Sequence, residues 1–219
     1  MTMTITADML TAYAPCPRKA YLLMCSEERG QIHEYEQILA HNRLAHQHKH
    51  IDLLSQSEAN VQPYSVDNLK KGCEMLVNAE LTADGLQADG AILTKADKRT
   101  YEPTIFIGTH RITDTDKRRL WFTGHVLAKV QGRPPTRGRI ISVDGTSSLV
   151  KLAGNPQALV SPLESLRRGA GEASPLEEPP VLLNKHCPSC QFRAQGAVKA
   201  VQEDHLSRLR GVTPKVIRR

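Results

Sequence analysis

Aromatic residues are scarce in this sequence, and long hydrophobic runs are absent. Phe, Trp and Tyr together make up 4% of the 219 residues, which leaves few ring faces on which nucleobases can stack. No apolar run approaches the ~18 residues that a membrane-spanning helix needs, so we expect no membrane span. Residues 1–10, MTMTITADML, lack the basic and apolar regions of a secretory signal. These absences predict a cytoplasmic protein.

The cysteines are few and odd in number: Cys16, Cys25, Cys73, Cys187 and Cys190. An odd count without a secretory signal argues against a disulfide framework. The spacing Cys187-Pro-Ser-Cys190 lets two sulfur atoms face one centre, as in zinc and iron–sulfur sites. Cys16 and His186 are the candidates for further ligands. The surrounding sequence lacks the βαβ pattern of a thioredoxin-like redox pair.

The net charge of +6 is concentrated in two segments. Residues 111–140 carry eight basic and two acidic residues, and residues 191–219 carry seven basic and two acidic residues. The rest of the chain therefore has a net charge of −5. Concentrated positive charge favours a polyanionic partner, of which nucleic acid is the first candidate. Two solvated helix faces are the alternative explanation.

Helical and strand patterns alternate along the chain, which predicts a mixed α/β fold. The Asp84-Gly85 pair between two apolar runs is typical of a β-hairpin turn, and Gly132 before the Pro134-Pro135 pair ends a helix. Residues 51–68 are predicted to be irregular. The predicted helices cover residues 10–25, 30–50, 114–131, 155–167 and 193–209, and the predicted strands cover residues 74–82, 86–94, 101–108, 137–143 and 149–152.

Asp89 and Glu102 lie on neighbouring predicted strands. We expect the pairing of these strands to bring the two carboxylates side by side, an arrangement that holds a divalent metal ion against a phosphodiester. Each carboxylate taken alone has a structural explanation: Asp89 precedes a glycine that suits a turn, and Glu102 is an exposed charge on a strand edge. The metal-site hypothesis therefore depends on the two acting together.

The order of these motifs resembles that of a nuclease family. The motifs, in order, are Cys16–Lys19 (CPRK), Gly30–Glu34 (GQIHE), Asp89, Glu102 and the final Cys-x-x-Cys pair. This order resembles the RecB-like PD-(D/E)XK nucleases with cysteine-bound iron–sulfur clusters. The chain is most similar to the CRISPR-associated exonuclease branch and related RecB-family nucleases, over about residues 10–209.

The resemblance implies a fold and a division of the chain. The fold is an α/β, restriction-endonuclease-like core in which helices flank a mixed β-sheet, followed by a C-terminal helical appendage that contains cysteines. The core would occupy residues 1–167, a linker residues 168–182, and the Cys-x-x-Cys and basic helical segment residues 183–219. That last segment is expected to close back on the N-terminus and to be truncated, because TPKVIRR resembles the start of another helix.

The resemblance also implies an active site. His33, Asp89 and Glu102 correspond to the family's ligands for Mg²⁺ or Mn²⁺, and the metal activates the water that attacks the phosphate. The family's catalytic lysine position is occupied by Thr104, and Lys117 on the next predicted helix is the candidate replacement.

Three cysteines correspond to ligands of the family's [4Fe–4S] cluster: Cys16, Cys187 and Cys190. The fourth position, six residues after Cys190, is occupied by Gly196. The resemblance thus implies a cluster site that this sequence fills only in part. Zinc bound with the help of His186 is one alternative, and a site that has lost its metal is the other.

Together these features predict a metal-dependent DNA nuclease that degrades strands from an end. The basic residues predicted to grip the phosphate backbone are Arg118, Arg119, Arg133 and Arg137. Such contacts position single-stranded DNA or a free end without reading its sequence. Thr104 and Gly196 favour an alternative, a DNA-binding relative whose nuclease centre has decayed. A zinc-ribbon adaptor that binds a protein partner is the third hypothesis.

Overall fold

The computed structural model describes residues 4–57, 60–154, 157–170, 178–209 and 212. The strands in these residues are β1 (Ile5–Thr6), β2 (Val61–Pro63), β3 (Met75–Ala83), β4 (Leu86–Lys95), β5 (Tyr101–Phe106), β6 (Arg137–Ile141) and β7 (Ser147–Lys151). The α-helices are α1 (Ala7–Tyr13), α2 (Pro17–Cys25), α3 (Glu34–Gln56), α4 (Val66–Lys71), α5 (Asp114–Gln131), α6 (Gln157–Ala170) and α7 (Arg193–Gln202). Short 3-10 helices cover Cys187–Ser189 and Leu206–Arg208.

The strands form one mixed sheet in the order β2-β3-β4-β5-β6-β7, with β1 paired to β4. Strands β3, β4 and β5 form an antiparallel meander, α5 crosses over to the parallel strand β6, and β7 returns antiparallel at the edge. The predicted mixed α/β class is confirmed. None of the helices in the described part of the chain is long and apolar enough to cross a membrane.

Local turn and capping chemistry explains the elements that the sequence predicts best. Asp84 and Gly85 both adopt positive φ angles between β3 and β4, as the tight turn of a hairpin requires. Helix α5 begins with a capping box in which Thr113 and Asp116 satisfy each other's backbone N–H groups. It ends at Gly132 in the left-handed conformation, a common helix stop.

The prediction of irregular structure over residues 51–68 is wrong in part. Helix α3 continues to Gln56, and a second helix, α4, follows. Ser65 caps α4 by accepting a hydrogen bond from the Asn68 N–H group at 3.0 Å, and Gly72 ends it with a φ of 76°. Helix α4 has only 6 residues, which is too short for a periodic apolar pattern to reveal it.

Two apolar clusters lie on opposite faces of the sheet. The larger one packs Phe122, Val126 and Leu127 of α5 against Leu76 and Leu93. The second contains Val77, Ile92, Phe106, Ile141 and Ile51. Because Leu76 and Val77 are consecutive in β3, as are Ile92 and Leu93 in β4, strand alternation places the clusters on the two faces.

Helix α3 covers only part of the second face. Ile51 is its one buried residue, and the rings of His46 and His50 pack against Phe106. Closer to its N-terminal end, the Leu39 carbonyl oxygen lies so near Gly108 that a Cβ atom there would be 2.1 Å away from it. Beyond α3 this face continues into Glu102 and the polar residues of β6.

Candidate functional site

The structure separates the two carboxylates that the sequence predicts to meet. In the β4–β5 ladder, Glu102 lies opposite Thr94. Asp89 is five residues further along β4, a distance of about 16 Å at the usual strand rise. The expectation that Asp89 and Glu102 lie side by side is therefore wrong, because the pairing register offsets them.

Glu102 is fully engaged with neighbouring side chains. The Arg137 Nε atom donates to both carboxylate oxygens, at 3.0 and 2.9 Å, and the Thr136 hydroxyl donates to Oε1 at 3.2 Å. The Glu102 side chain is only 17% exposed. A carboxylate held by a guanidinium and a hydroxyl has its charge balanced inside the protein. Neither Glu102 nor Arg137 is therefore left free for the role predicted for it, in metal or DNA binding.

Asp89 is exposed on β4 and belongs to a charge-balanced group. Burial lowers the pKa of the half-buried Arg43 on α3, and Arg119 lowers it further, whereas Asp8 and Asp89 raise it. Arg119 also forms an ion pair with Asp8. The four charges cancel, so the carboxylates of Asp8 and Asp89 are balanced by the two arginines. Arg119, predicted to bind DNA, is paired within the protein.

The remaining predicted active-site residues serve local structure. His33 is the N-cap of α3, where its Nδ1 atom accepts a hydrogen bond from the Tyr35 N–H group at 3.1 Å. Lys117 lies 3.6 Å from Asp114 in the first turn of α5. Thr104 is buried. In the residues that the structure describes, no three His, Cys, Asp or Glu side chains are grouped to hold a metal ion. The implied Mg²⁺ or Mn²⁺ site does not fit this arrangement.

Two further cationic residues, absent from the predicted site, lie on the β6–β7 hairpin. Arg139 and Lys151 are exposed, and the ladder places Lys151 directly opposite Arg137 and Leu149 opposite Arg139. We call these four residues the basic hairpin face. Leu149 is 57% exposed. Arg118, half-buried, and Arg133, exposed, complete the predicted set of basic residues.

The basic hairpin face is electrostatically incomplete. Like charges directly opposite each other on a sheet repel, and only Arg137 has a carboxylate partner among its described neighbours, Glu102. Arg139 donates to the neutral Ser147 hydroxyl at 2.9 Å. Strand alternation in RGRII and SSLVK was the signal that Arg137, Arg139, Leu149 and Lys151 share one face. Arg139 and Lys151 are exposed cations without a carboxylate partner among the described residues, and an anion bound there would balance their charge.

The structure brings the three predicted cysteine ligands into one pocket. Cys16, Cys187 and Cys190 line a cavity of about 40 Å³ together with Gly196. We call these four residues the cysteine pocket. All three thiols are free and half-buried. His186 is exposed and lies outside the described lining of this cavity.

Backbone groups orient the sulfur atoms in the pocket. Cys16 is the N-cap of α2, and its Sγ atom accepts from the Lys19 N–H group at 3.4 Å. The Asn184 N–H group donates to the Sγ atom of Cys187 at 3.2 Å. Burial raises the pKa of the Cys16 thiol against the opposing effect of the Lys19 N–H group, and the nearby Cys187 and Cys190 raise it further. Cys16 therefore keeps its proton at neutral pH and would release it on binding a metal.

Ionic and polar contacts hold the C-terminal segment against α2. Glu178 accepts from Arg18 at 2.5 Å and from Lys199 at 2.7 Å. The Asn184 side-chain amide donates to the Pro15 carbonyl oxygen at 3.2 Å. These contacts tie the described C-terminal segment to α2, so Cys16 lines one pocket with Cys187 and Cys190, although the three side chains as they stand are not grouped to hold a metal ion.

The donor chemistry of the cysteine pocket partly fits an iron–sulfur cluster or zinc. Thiolates are the soft ligands that both prefer, but the pocket supplies three cysteines and a glycine where four ligands are needed. No family model matches this sequence, and no curated protein matches it. Any function assigned to the cysteine pocket or to the basic hairpin face therefore depends on their geometry alone.

Proposed function

We propose that this chain is a RecB-like relative with a restriction-endonuclease-like core that binds DNA without hydrolysing it. The pairing of Glu102 with Arg137 carries the proposal. Metal-assisted hydrolysis requires carboxylates that converge on the ion that activates water. Here one carboxylate is neutralised by a guanidinium, and the other lies five residues away along the neighbouring strand.

The energetics of the Glu102 contacts also oppose metal binding. Glu102 accepts from two donors, the Arg137 Nε–H group, which is shared between both carboxylate oxygens, and the Thr136 hydroxyl. Because Arg137 is 57% exposed, solvent screens the ion pair and its contribution is about 1 kcal/mol or less. A divalent ion would have to displace these contacts and leave Arg137 without its partner. The second carboxylate, Asp89, would in addition have to move toward it across several strand positions.

The basic hairpin face supports the DNA-binding part of the proposal. Arg139 and Lys151 are exposed and have no carboxylate partner in the described part of their surroundings, and exposed Leu149 lies opposite Arg139 and two residues before Lys151 on β7. Such a surface attracts phosphates without distinguishing bases. Binding is expected to be non-specific and to weaken steeply as salt rises.

Charge reversal at Arg139 and Lys151 tests this surface. We expect the Arg139→Glu, Lys151→Glu double variant to bind single-stranded DNA about tenfold or more weakly and to lose about 1.4 units of salt slope, about 0.7 for each lost phosphate contact on a single strand. Fluorescence anisotropy over a series of salt concentrations measures both quantities. The Lys70→Glu, Lys71→Glu variant is the matched control, because it makes the same change in net charge at two exposed lysines of α4, which follows the strand at the opposite edge of the sheet. An equal loss in both proteins would overturn the assignment of the surface.

A cleavage assay tests the absence of hydrolysis. End-labelled single- and double-stranded DNA is incubated with the purified chain and Mn²⁺ or Mg²⁺, beside Asp89→Ala. We expect both proteins to leave the DNA intact while both bind it. Cleavage by the wild type that Asp89→Ala abolishes would contradict the proposal and favour the exonuclease hypothesis.

The cysteine pocket favours one additional role, a metal that ties the chain together. Three thiols from α2 and the C-terminal segment share one cavity. Zinc or an iron–sulfur cluster held there would stabilise the closure that Glu178 already makes. This structural role is compatible with DNA binding and also with a zinc-dependent adaptor. If the charge-reversal variant loses DNA binding while its metal content is unchanged, the result favours DNA binding with a structural metal over a zinc-dependent adaptor.

A further inference from the structure

Helix α3 presents two histidines to the same point of the sheet. His46 and His50 are one helical turn apart, and both rings meet Phe106 edge-on. The ring centroids lie 5.6 and 5.2 Å from that of Phe106, with interplanar angles of 65° and 62°. The two imidazoles therefore project from one side of α3 toward one neighbour. Neither histidine takes part in the DNA-binding surface or in the cysteine pocket.

One ring nitrogen of this pair is buried without a partner in the part of the chain that the structure describes. His46 Nδ1 is buried and has no hydrogen-bond partner among the described residues. Both histidines are half-buried, so part of each ring reaches solvent. Burial lowers the pKa of His50, and the proximity of His46 lowers it further. Neutral imidazole is the form that binds metal ions.

The spacing of the two histidines and the chemistry of imidazole both point to a metal ion as the ligand. Side chains four residues apart on a helix are neighbours, and two histidines at this spacing on one face form half of many zinc sites. Imidazole nitrogen suits Zn²⁺, Ni²⁺ and Cu²⁺ rather than Mg²⁺. We propose that His46 and His50 form a two-imidazole binding site for a borderline transition-metal ion, with water completing the coordination.

A metal ion bound at this site would stabilise the packing of α3 on the sheet. The helix has 23 residues but only one of them is buried, so its packing energy on the sheet is small. A metal held by two residues of the same turn stabilises the helical conformation of that turn. By mass action, an ion that binds only the folded form raises the apparent stability. The histidine site is independent of the proposed DNA binding.

Titration of the full chain with Ni²⁺ tests the site. We expect saturating Ni²⁺ to raise the Tm by about 5 °C. The variant His46→Gln, His50→Gln should lose this shift and at least tenfold in Ni²⁺ affinity. The control is His41→Gln, His48→Gln, which removes two exposed histidines from the same helix and should retain both responses.

The cysteine pocket is a competing site for the same ions, so a second probe separates them. Co²⁺ bound by thiolates shows a sulfur-to-metal charge-transfer band in the near ultraviolet, whereas Co²⁺ bound by imidazoles does not. We expect the His46→Gln, His50→Gln variant to lose one equivalent of Co²⁺ that lacks this band. Retention of that equivalent in a folded variant would overturn the proposal. If the double variant fails to fold, His50→Gln alone is titrated, and unchanged Ni²⁺ affinity there is equally contradictory.

Discussion

Replacing Gly196 with cysteine is expected to convert the cysteine pocket into a complete metal site. Gly196 lines the pocket with the three existing thiols, and a Cβ atom built on it meets no other atom within 4 Å. A cysteine side chain can therefore be added at this position of the pocket lining without displacing a neighbour. Cysteine also suits a helix interior better than glycine, so the substitution itself should not destabilise α7.

The expected effect is large because metal binding adds to folding. Four thiolates complete the tetrahedral set that zinc and iron–sulfur centres require. We expect Gly196→Cys to bind Zn²⁺ about a hundredfold or more tightly than the wild type. With several kcal/mol of binding energy acting on a chain of this size, the Tm should rise by about 10 °C or more. Anaerobic reconstitution with iron and sulfide should give the visible absorbance of a cluster.

Gly196→Ser provides the matched control for this experiment. Serine has nearly the same shape as cysteine and supplies no thiolate, so it should leave metal content and Tm close to those of the wild type. A second comparison combines Gly196→Cys with Cys16→Ser, which removes the ligand from α2 and should reverse the gain. If Gly196→Cys folds but holds no more metal than Gly196→Ser, the pocket is not a metal centre that lacks one ligand.

The sequence predicts the strands and helices here better than it predicts their mutual register. The β3–β4 hairpin and α5 follow from local chemistry, an Asp-Gly turn in one case and a capping box with a glycine stop in the other. These signals involve neighbouring residues, so they can be recognised in one sequence. Helix α4 was missed because a short helix on a surface has no periodic apolar pattern to show.

The prediction of a carboxylate site failed because such a site depends on the register in which β4 and β5 pair. Asp89 and Glu102 are on neighbouring strands as predicted, but the residue that lies opposite Glu102 is set by the length and shape of the connection between β4 and β5. A shift in register moves a side chain several ångströms and can turn it to the other face. The order of motifs along a chain does not contain this information.

The cysteines show the opposite case. Cys16 is separated from Cys187 by most of the chain, yet the structure places both in one pocket. Nothing in the local sequence around either cysteine indicates this contact, and the expectation that they meet came only from the order of the motifs along the chain. His46 and His50 were visible in sequence as part of a histidine-rich helix end, but the packing of both on Phe106 depends on where α3 crosses the sheet.

Substituting Gly108 with alanine is expected to detach the N-terminal half of α3 from the sheet. A Cβ atom at Gly108 would lie 2.1 Å from the Leu39 carbonyl oxygen and 2.8 Å from its carbonyl carbon. Both are backbone atoms of α3, so no side-chain rotation can relieve the overlap. Overpacking of this kind costs roughly 1–3 kcal/mol or more. Full burial of Ile51, the principal apolar contact of the helix, contributes about 1.5–3 kcal/mol.

The cost of overpacking at Gly108→Ala is comparable to the burial energy that holds α3 on the sheet. We therefore expect α3 to detach while the sheet stays folded. Hydrogen exchange of the α3 amides is expected to accelerate in Gly108→Ala, most strongly near Leu39, while exchange in β3 and β4 changes little. The control is Gly196→Ala, where the added methyl group meets no atom and should raise stability by up to about 1 kcal/mol. Unchanged protection throughout α3 in a folded Gly108→Ala protein would show that the helix does not rest on Gly108, just after β5. The attachment of α3 would then depend on contacts further along the helix, at His46, His50, Ile51 and Leu54.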